Sequence, residues 1–564
     1  MSADQQALAR TGWLRRVDAA LGEWIARAFP DSPADVALAA AMAARAVDEG
    51  HSALRLDAAQ AWLGNLGGRG EAPALPDPGS WRETLRDSAA VKFTRDFDAT
   101  DPVPPRPLVL DPQGRVYLAR YFGYERRLAK NLIARARAER LKLVTGGPGT
   151  GKTHGVMRLL AELAKQAHAK EHTLRIALAA PTGKAAARLS ESVRAQWPQL
   201  ELPDAVAAMI PREASTLHRL IGLSPYSARA KFHRDATLPF DVVVVDEVSM
   251  VDLPMMHKLA EAVREDTMLI LLGDPDQLAA VEAGDVLGAL VDAAREPPLS
   301  QCHAHLTQSR RFAGHGTLGR LSNAIANGDA NAALATLESD DEVRLIANDA
   351  HDARLVEHAV DAYRHVADAP DAGAALRTAN GFRVLTALRH GPAGNLALDR
   401  AIEQRLKRQA GVRADAPWWR GRLLMVTANR DALGLFNGDV GVVWPDANGE
   451  MKVWFEGADG APRAISPAAL PPHEGAFALT VHKAQGSEFG RIALVLGADT
   501  PVLTRELLYT GITRAREGVE IHGNEALLRA GIARRTQRWN GLADRLREAA
   551  NAPNSIAESL PPAS

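Results

Sequence analysis

Residues 146–153 read Gly-Gly-Pro-Gly-Thr-Gly-Lys-Thr. Every position satisfies the phosphate-loop pattern G-x-x-x-x-G-K-[ST]. Glycines let backbone N–H groups converge on an anion with no Cβ in the way. Lys152 has the reach for the β- and γ-phosphates of a nucleotide, and the Thr153 hydroxyl suits a Mg²⁺ ion. Upstream, Leu141 to Val144 is an apolar strand interrupted by Lys142; downstream, Val156, Leu159, Leu160 and Leu163 recur at helical spacing. That strand–loop–helix setting separates a nucleotide site from a Gly-rich turn that binds nothing. The candidate cradle is therefore Gly146, Gly147, Pro148, Gly149, Thr150, Gly151, Lys152 and Thr153.

A second signal lies at 240–247, Phe-Asp-Val-Val-Val-Val-Asp-Glu. Four valines predict a strand buried on both faces. Its carboxyl end, where an open α/β sheet places its ligand, carries two acids. Asp246 is placed to share the Mg²⁺ with Thr153, and Glu247 to orient and deprotonate an attacking water. Taken alone, such a pair also serves as a helix cap. A third stretch, Leu271-Leu272-Gly273-Asp274-Pro275-Asp276-Gln277-Leu278, ends a strand in a turn. There Gln277 can hydrogen-bond the γ-phosphate or its water, although Gly-Asp-Pro-Asp is by itself a good turn. Together the three signals predict ATP hydrolysis.

At 564 residues the chain is long enough for about three or four domains. Hydrophobic residues at 46% and charged residues at 24% are ordinary for a globular protein. No apolar run approaches the ~20 residues of a membrane span, and Met-Ser-Ala-Asp-Gln-Gln lacks the layout of a signal peptide. The expected place is the cytoplasm, with no membrane partner. One cysteine, Cys302, excludes intramolecular disulfides and Cys₄ metal centres. Its setting, Cys302-His303-Ala304-His305, reads as a small buried thiol beside histidines rather than a metal site. A net charge of −1 gives no global basic footprint, so any nucleic-acid site must be a local groove.

Along the chain, 1–110 reads as a helical N-terminal domain. Trp13, Leu14, Val17, Leu21, Trp24, Ile25 and Phe29 form a stripe at helical spacing there. Residues 65–107, rich in Gly, Pro and Asp, read as loops. Arg120 to Lys142 reads as a helix dense in Arg and Lys, a solvated face by default. Alternating strands and helices over 111–310 predict a first doubly wound parallel-sheet core. A second core takes 311–416 and 473–551, with strands near Arg383–Ala387, Ala478–Thr480 and Ile492–Leu496. Between its halves, 417–472 has short strands and Asn-Gly turns at 437–438 and 448–449, the pattern of a small inserted β-barrel. The tail, 552–564, reads as disordered.

The phosphate loop, Val-Asp-Glu and Gly-Asp-x-x-Gln-Leu together resemble the first half of a superfamily 1 helicase. Leu306-Thr307-Gln308-Ser309-Arg310-Arg311-Phe312 is similar to that family's motif IV. The stretch from Thr480 through His482, Lys483, Gln485, Gly486 and Ser487 to Phe489 is similar to motif V. Leu508-Tyr509-Thr510-Gly511-Ile512-Thr513-Arg514-Ala515-Arg516 is similar to motif VI. Ala180-Pro181-Thr182-Gly183-Lys184-Ala185-Ala186 resembles motif Ia, and Ser215-Thr216-Leu217-His218-Arg219 the next DNA-contacting motif. Within superfamily 1, Gly147-Pro148-Gly149-Thr150, Thr216-Leu217-His218-Arg219, Gly434-Leu435-Phe436-Asn437-Gly438-Asp439 and the motif V string resemble the exodeoxyribonuclease V alpha-subunit (RecD) family. Gly50-His51-Ser52-Ala53-Leu54 and Val116-Tyr117-Leu118-Ala119-Arg120-Tyr121 are similar to that family too.

The resemblance implies an α/β fold of two RecA-like cores that sandwich ATP and Mg²⁺, with an SH3-like barrel inserted. It implies a 5′→3′ single-stranded DNA translocase that works at duplex ends beside a nuclease–helicase beta subunit and a gamma subunit. Lys152, Glu247, Gln277, Arg311 and Arg514 become the implied catalytic set. Arg311 and Arg514 would be arginine fingers, with Arg310 the neighbouring alternative and a surface ion pair the plain one. Thr182, Lys184, Thr216, His218, Thr480, His482 and Ser487 are the implied DNA contacts, each also an ordinary cap or polar surface residue. Trp418, Trp419 and Phe436 can stack on bases or pack in a core. The family's adenine-contacting Gln before the phosphate loop has no counterpart, since no Gln lies between Gln113 and Gln166. No acidic cluster with nuclease spacing is evident, which leaves cleavage to a partner. A free-standing 5′→3′ helicase, or an ATP-dependent scaffold that does not unwind, are the competing readings.

Overall fold

A computed structural model describes residues 11–66, 68, 70–94, 106–224, 227, 229–307, 316–339, 342–347, 353–457 and 460–552. The tail beyond 552 lies outside them. Leu141–Gly146 is the second strand of a six-stranded sheet, ordered His303–Leu306, Leu141–Gly146, Met268–Gly273, Val242–Val245, Ile176–Ala180, Ser215–Thr216. Every pairing in it is parallel. The four valines show why. Side chains alternate across a strand, so Val242 and Val244 pack with Val156, Leu160, Leu189 and Val193 on one face. Val243 and Val245 pack with Leu128, Leu132, Met256 and Leu290 on the other. The helices Lys152–Ala169 and Gly183–Gln196 supply the first layer, and Ala119–Arg137, Leu253–Ala262 and Val286–Ala293 the second. A sheet covered on both faces needs apolar residues in succession, and the tetravaline run provides them.

The second core repeats this plan with five parallel strands, ordered Val343–Ile346, Ala515–His522, Phe489–Val495, Phe382–Thr386, Ala478–Thr480. The three strands expected from sequence are among them. The chain is thus an α/β protein of parallel sheets and helices.

Between Phe382–Thr386 and Ala478–Thr480 the chain builds a five-stranded antiparallel sheet. Its order is Pro462–Ile465, Met451–Glu456, Val440–Pro445, Leu423–Val426, His473–Gly475. It extends past the expected end at 472. Among the described residues no ladder joins its two edge strands, so hydrogen bonds do not close it into a barrel.

The N-terminal region differs from the helical expectation. Two helices, Arg16–Ala28 and Ala34–Asp48, pack on a four-stranded sheet ordered Leu54–Arg55, Arg115–Leu118, Leu108–Leu110, Val91–Phe93. The stretch assigned to loops holds the helix Pro78–Asp87, capped by Asp77, whose carboxylate accepts from Gly79 and Ser80 N–H. Val17 and Trp24 of the apolar stripe stay exposed, while Trp13, Leu14 and Ile25 are buried.

The C-terminal segment also departs from its assignment to the second core. The helix Leu542–Asn551 places Leu542, Leu546 and Ala549 in the first core's apolar cluster. Just before it, Trp539 stacks on His51 of the N-terminal region at 4.3 Å between ring centroids.

Candidate functional site

The loop after Leu141–Gly146 turns into the Lys152–Ala169 helix through Gly149 at φ +73° and Gly151 at φ +84°. Both lie in the left-handed region, where a Cβ is costly. Lys152 Nζ donates to the Gly146 and Gly147 carbonyl oxygens, the latter at 3.0 Å. Its charge therefore lies over the mouth of the loop.

A cavity of about 460 Å³ opens there. It is lined by 148–154, Asp246, Glu247 and Gln277 of the first core, and by Glu488, Thr513 and Arg514 of the second. The structure thus brings together every described residue of the predicted catalytic set, Lys152, Glu247, Gln277 and Arg514, along with Thr153 and Asp246. Arg310 and Arg311 lie outside the described residues.

Glu247 is strained and Asp246 electrostatically loaded. Glu247 sits at φ +55°, a left-handed conformation uncommon for a residue with a Cβ. Its N–H donates to Asp246 Oδ1 at 2.8 Å. Burial, and then the neighbouring Glu247 charge, push the Asp246 carboxyl up to about 6. A carboxylate in that position gains from a cation, and Thr153 presents its hydroxyl to the same cavity. The donor set therefore fits Mg²⁺.

Behind the acids, Asp274 accepts from Gln277 Nε2 at 3.0 Å and from the Tyr509 hydroxyl at 3.2 Å. Tyr509 lies so close to the phosphate loop that a Cβ on Gly147 would meet its hydroxyl oxygen at 2.8 Å. The next residues tie the cores further. Leu278 N donates to Thr510 Oγ1 at 2.8 Å, and Gln485 Nε2 donates to the Leu278 carbonyl at 3.2 Å. Arg514 is buried, with Nε donating to the Thr510 carbonyl at 3.0 Å; burial lowers its pKa while Glu247 favours its charge.

The predicted DNA contacts divide. Thr216 and His218 line a groove of about 950 Å³, which also takes in Gly183, Ser190, Asn429 and Phe436. His218 is held neutral to lower pH by burial. The other five have different surroundings. Thr182 caps the Gly183–Gln196 helix by accepting from Ala185 N, and Thr216 caps Leu217–Leu220 in the same way. Lys184 turns under the small sheet, Nζ 3.4 Å from the Gly438 carbonyl, and burial lowers its pKa to about 8. Thr480 and Ser487 are buried. His482 faces a separate cavity of about 840 Å³ with Trp62, Arg535 and Trp539.

Of the three aromatics, Phe436 packs against Gly183 at the groove wall. Trp419 is core, stacked on Phe477, and Trp418 packs beside His473 and Arg422. Cys302 is buried, and His303 and His305 both meet the Thr145 hydroxyl. Among the described residues no cluster of His, Cys, Asp and Glu is fit to hold a metal by itself.

Arg188, Glu488, Tyr509 and Thr510 also line or brace the site, and sequence reasoning passed over them. Arg188 had one available signal, its position one helical turn after Lys184. The other three lay inside motifs V and VI but needed the second core's approach to gain a role.

No described helix is long and apolar enough to cross a membrane. Three families match. "RecBCD enzyme subunit RecD, N-terminal domain" covers 10–117, "AAA domain" 129–283 and "UvrD-like helicase C-terminal domain" 475–521. The RecBCD enzyme subunit RecD of Mycobacterium tuberculosis is 39% identical over 554 residues, 92% of each chain. That of Mycolicibacterium smegmatis is 39% identical over 559 residues, 92% of this chain and 95% of its own. Among solved structures, Bacteroides Pif1 bound to single-stranded DNA is 16% identical, covers 71% of this chain and 93% of its own, and has a TM-score of 0.39. The chain belongs to the RecD family, the ATP-dependent DNA helicase subunits of RecBCD enzymes.

Proposed function

We propose that the chain hydrolyses ATP in the cleft between its two parallel-sheet cores and uses the cycle to move 5′→3′ along single-stranded DNA at duplex ends. The observation that carries this reading is the single cavity shared by the phosphate loop, Asp246, Glu247 and Gln277 with Arg514 of the opposite core.

In this reading the backbone of 146–151 and Lys152 hold the phosphates. Glu247 takes the proton of the attacking water, and Gln277 orients that water. Arg514, with Arg311 or Arg310 as the implied second arginine finger, stabilises the charge developing on the γ-phosphate, an effect worth ~10³–10⁵ in rate. Thr153 and Asp246 would hold Mg²⁺, which would supply charge neutralisation at the phosphates. Because Arg514 belongs to the second core, hydrolysis requires a closed cleft, and nucleotide state becomes relative motion of the cores.

The DNA strand crosses the 950 Å³ groove past Thr216 and His218, with Asn429 and Phe436 of the inserted antiparallel region along it. Thr182, Lys184, Thr480, His482 and Ser487 shape the path from behind or contact it as the cores move. The subunit acts in the cytoplasm with a nuclease–helicase beta subunit and a gamma subunit.

The test is ATP hydrolysis by the chain, alone and with those subunits, with and without single-stranded DNA, alongside Lys152→Gln. DNA-stimulated hydrolysis abolished by the substitution is expected, with displacement of duplexes carrying 5′ but not 3′ tails. Hydrolysis indifferent to DNA would overturn the translocase reading in favour of a scaffold.

A further inference from the structure

The Gly183–Gln196 helix is a wall shared by two cavities. Gly183, Ala187 and Ser190 line the 950 Å³ groove, while Ala185, Arg188 and Ser192 line the nucleotide cleft. No motif accounts for Arg188. Its guanidinium reaches across the cleft to Glu488 of the second core, Nη2 to Oε1 2.9 Å. The two side chains keep 31% and 25% exposure, so the pair lies along the cavity wall and not inside a core. Arg188 lines the same cavity as Asp246 and Arg514. Arg188 thus faces the space bounded by the Mg²⁺ candidate and the arginine finger.

A partly exposed ion pair is screened by solvent and adds little net stability. A guanidinium presented to phosphate oxygens makes stronger, bidentate hydrogen bonds. The competition therefore favours a triphosphate over Glu488.

We propose that Arg188 is a nucleotide-contacting residue, which exchanges Glu488 for the γ-phosphate when ATP enters the cleft. The inference rests on the ATP site proposed above and adds a first-core cation to it. It has a mechanical consequence. The exchange releases a tie between the cores at the moment Arg514 gains a reason to close, and the helix that carries Arg188 forms the wall of the groove.

The experiment titrates fluorescent ATP and ADP analogues into the full chain and into Lys152→Gln, Arg188→Gln, Arg188→Lys and the charge swap R188E/E488R. Thermal midpoints establish that each variant is folded. Wild type binds both nucleotides, and Lys152→Gln loses the triphosphate. Arg188→Gln weakens the triphosphate about 10–100-fold, the size of one charge-assisted contact, and leaves the diphosphate within about threefold. Arg188→Lys falls between wild type and Arg188→Gln. The swap rebuilds the ion pair with reversed polarity but offers no cation from the first core, so it stays as weak as Arg188→Gln. Recovery of affinity in the swap, or wild-type affinity in Arg188→Gln, would show a structural tie and overturn the proposal. Failure of the wild-type chain to bind either nucleotide would remove the ATP site itself, and the inference with it.

Discussion

Asp274 is 1% exposed and sits among a glutamine, a tyrosine hydroxyl and the Lys152 charge. Burial pushes its carboxyl up to about 6, against the field of Lys152. A carboxyl whose pKa is raised by folding helps stability below its unfolded value near 4 and loses that help as pH rises through 6. Above that, the ionised group costs up to roughly 3 kcal/mol at 1.36 kcal/mol per pKa unit. Asp274→Asn keeps an acceptor for Gln277 and Tyr509 but carries no charge. Its thermal midpoint should match wild type near pH 4 and exceed it increasingly from pH 5 to pH 7.5, while ATP turnover falls. A midpoint difference that stays flat across that range would remove the electrostatic account. Asp274 also shows where sequence reading stops at this scale. Lys152, Asp246 and Glu247 were legible because phosphate chemistry fixes residue type and order within a few positions. Asp274 was read as part of a turn, and Tyr509 as motif wording, because their link spans 235 positions of chain and exists only across the cleft.

The Gly183–Gln196 helix approaches the inserted antiparallel region closely where Gly183 faces Phe436. A Cβ built on Gly183 would lie 2.3 Å from Phe436 Cγ, far inside contact distance. Gly183→Ala therefore forces Phe436, and with it the 433–438 turn, away from the helix. Single-stranded DNA affinity should fall about tenfold or more, as expected when a groove wall and a stacking ring worth ~1–3 kcal/mol shift together. Nucleotide affinity should hold, because Arg188 and Ser192 lie farther along the helix. The second substitution Phe436→Ala in the same chain restores space but not the ring, so packing should recover and DNA affinity should not. If Phe436→Ala restores DNA affinity to Gly183→Ala, the ring has no part in binding. The surroundings of Lys184 were hidden for a related reason. Its motif predicted a DNA contact, but the position of the inserted sheet, which covers it with Gly438, cannot be read from local sequence. The N-terminal sheet escaped notice because its strands span only two to four residues, too few for a period-two pattern to emerge. Val242–Val245 was legible because its four valines are buried on both faces.

The molecule as a whole is held by a segment that leaves the second core and returns to the first. Periodicity gave the Leu542–Asn551 helix an apolar face but could not say which core would receive it. The strap is anchored by polar groups as well as apolar ones. Gly541 N donates to the buried Glu125 carboxylate at 3.1 Å, and Arg545 Nη2 to Asp111 Oδ2 at 3.0 Å. Asp111 also takes Arg115 Nε at 2.6 Å, so one buried carboxylate answers two guanidinium groups from opposite ends of the chain. Asp111→Asn strips the shared carboxylate but leaves Arg115 its pair with Asp544 and Arg545 its pair with Glu548, and should cost about 1–3 kcal/mol. Leu546→Ala opens a cavity at a fully buried position and should cost about 2–5 kcal/mol. The two losses differ in kind but should appear in the same place. Hydrogen exchange should quicken in the Ala119–Arg137 helix and the N-terminal sheet, and remain slow in the Phe489–Val495 strand of the second core. Equal loss of protection in both cores would mean that they unfold as one unit and that the strap clamps no separate body. Retained protection in the Ala119–Arg137 helix would mean that its own packing suffices. If the strap does set the spacing of the cores, Leu546→Ala should lower DNA-stimulated ATP turnover at temperatures where the chain is still folded. The same C-terminal link that stabilises the N-terminal region also carries Trp539 and Arg538 to the edge of the cavity that His482 faces, so loosening it disturbs both the clamp and the motor.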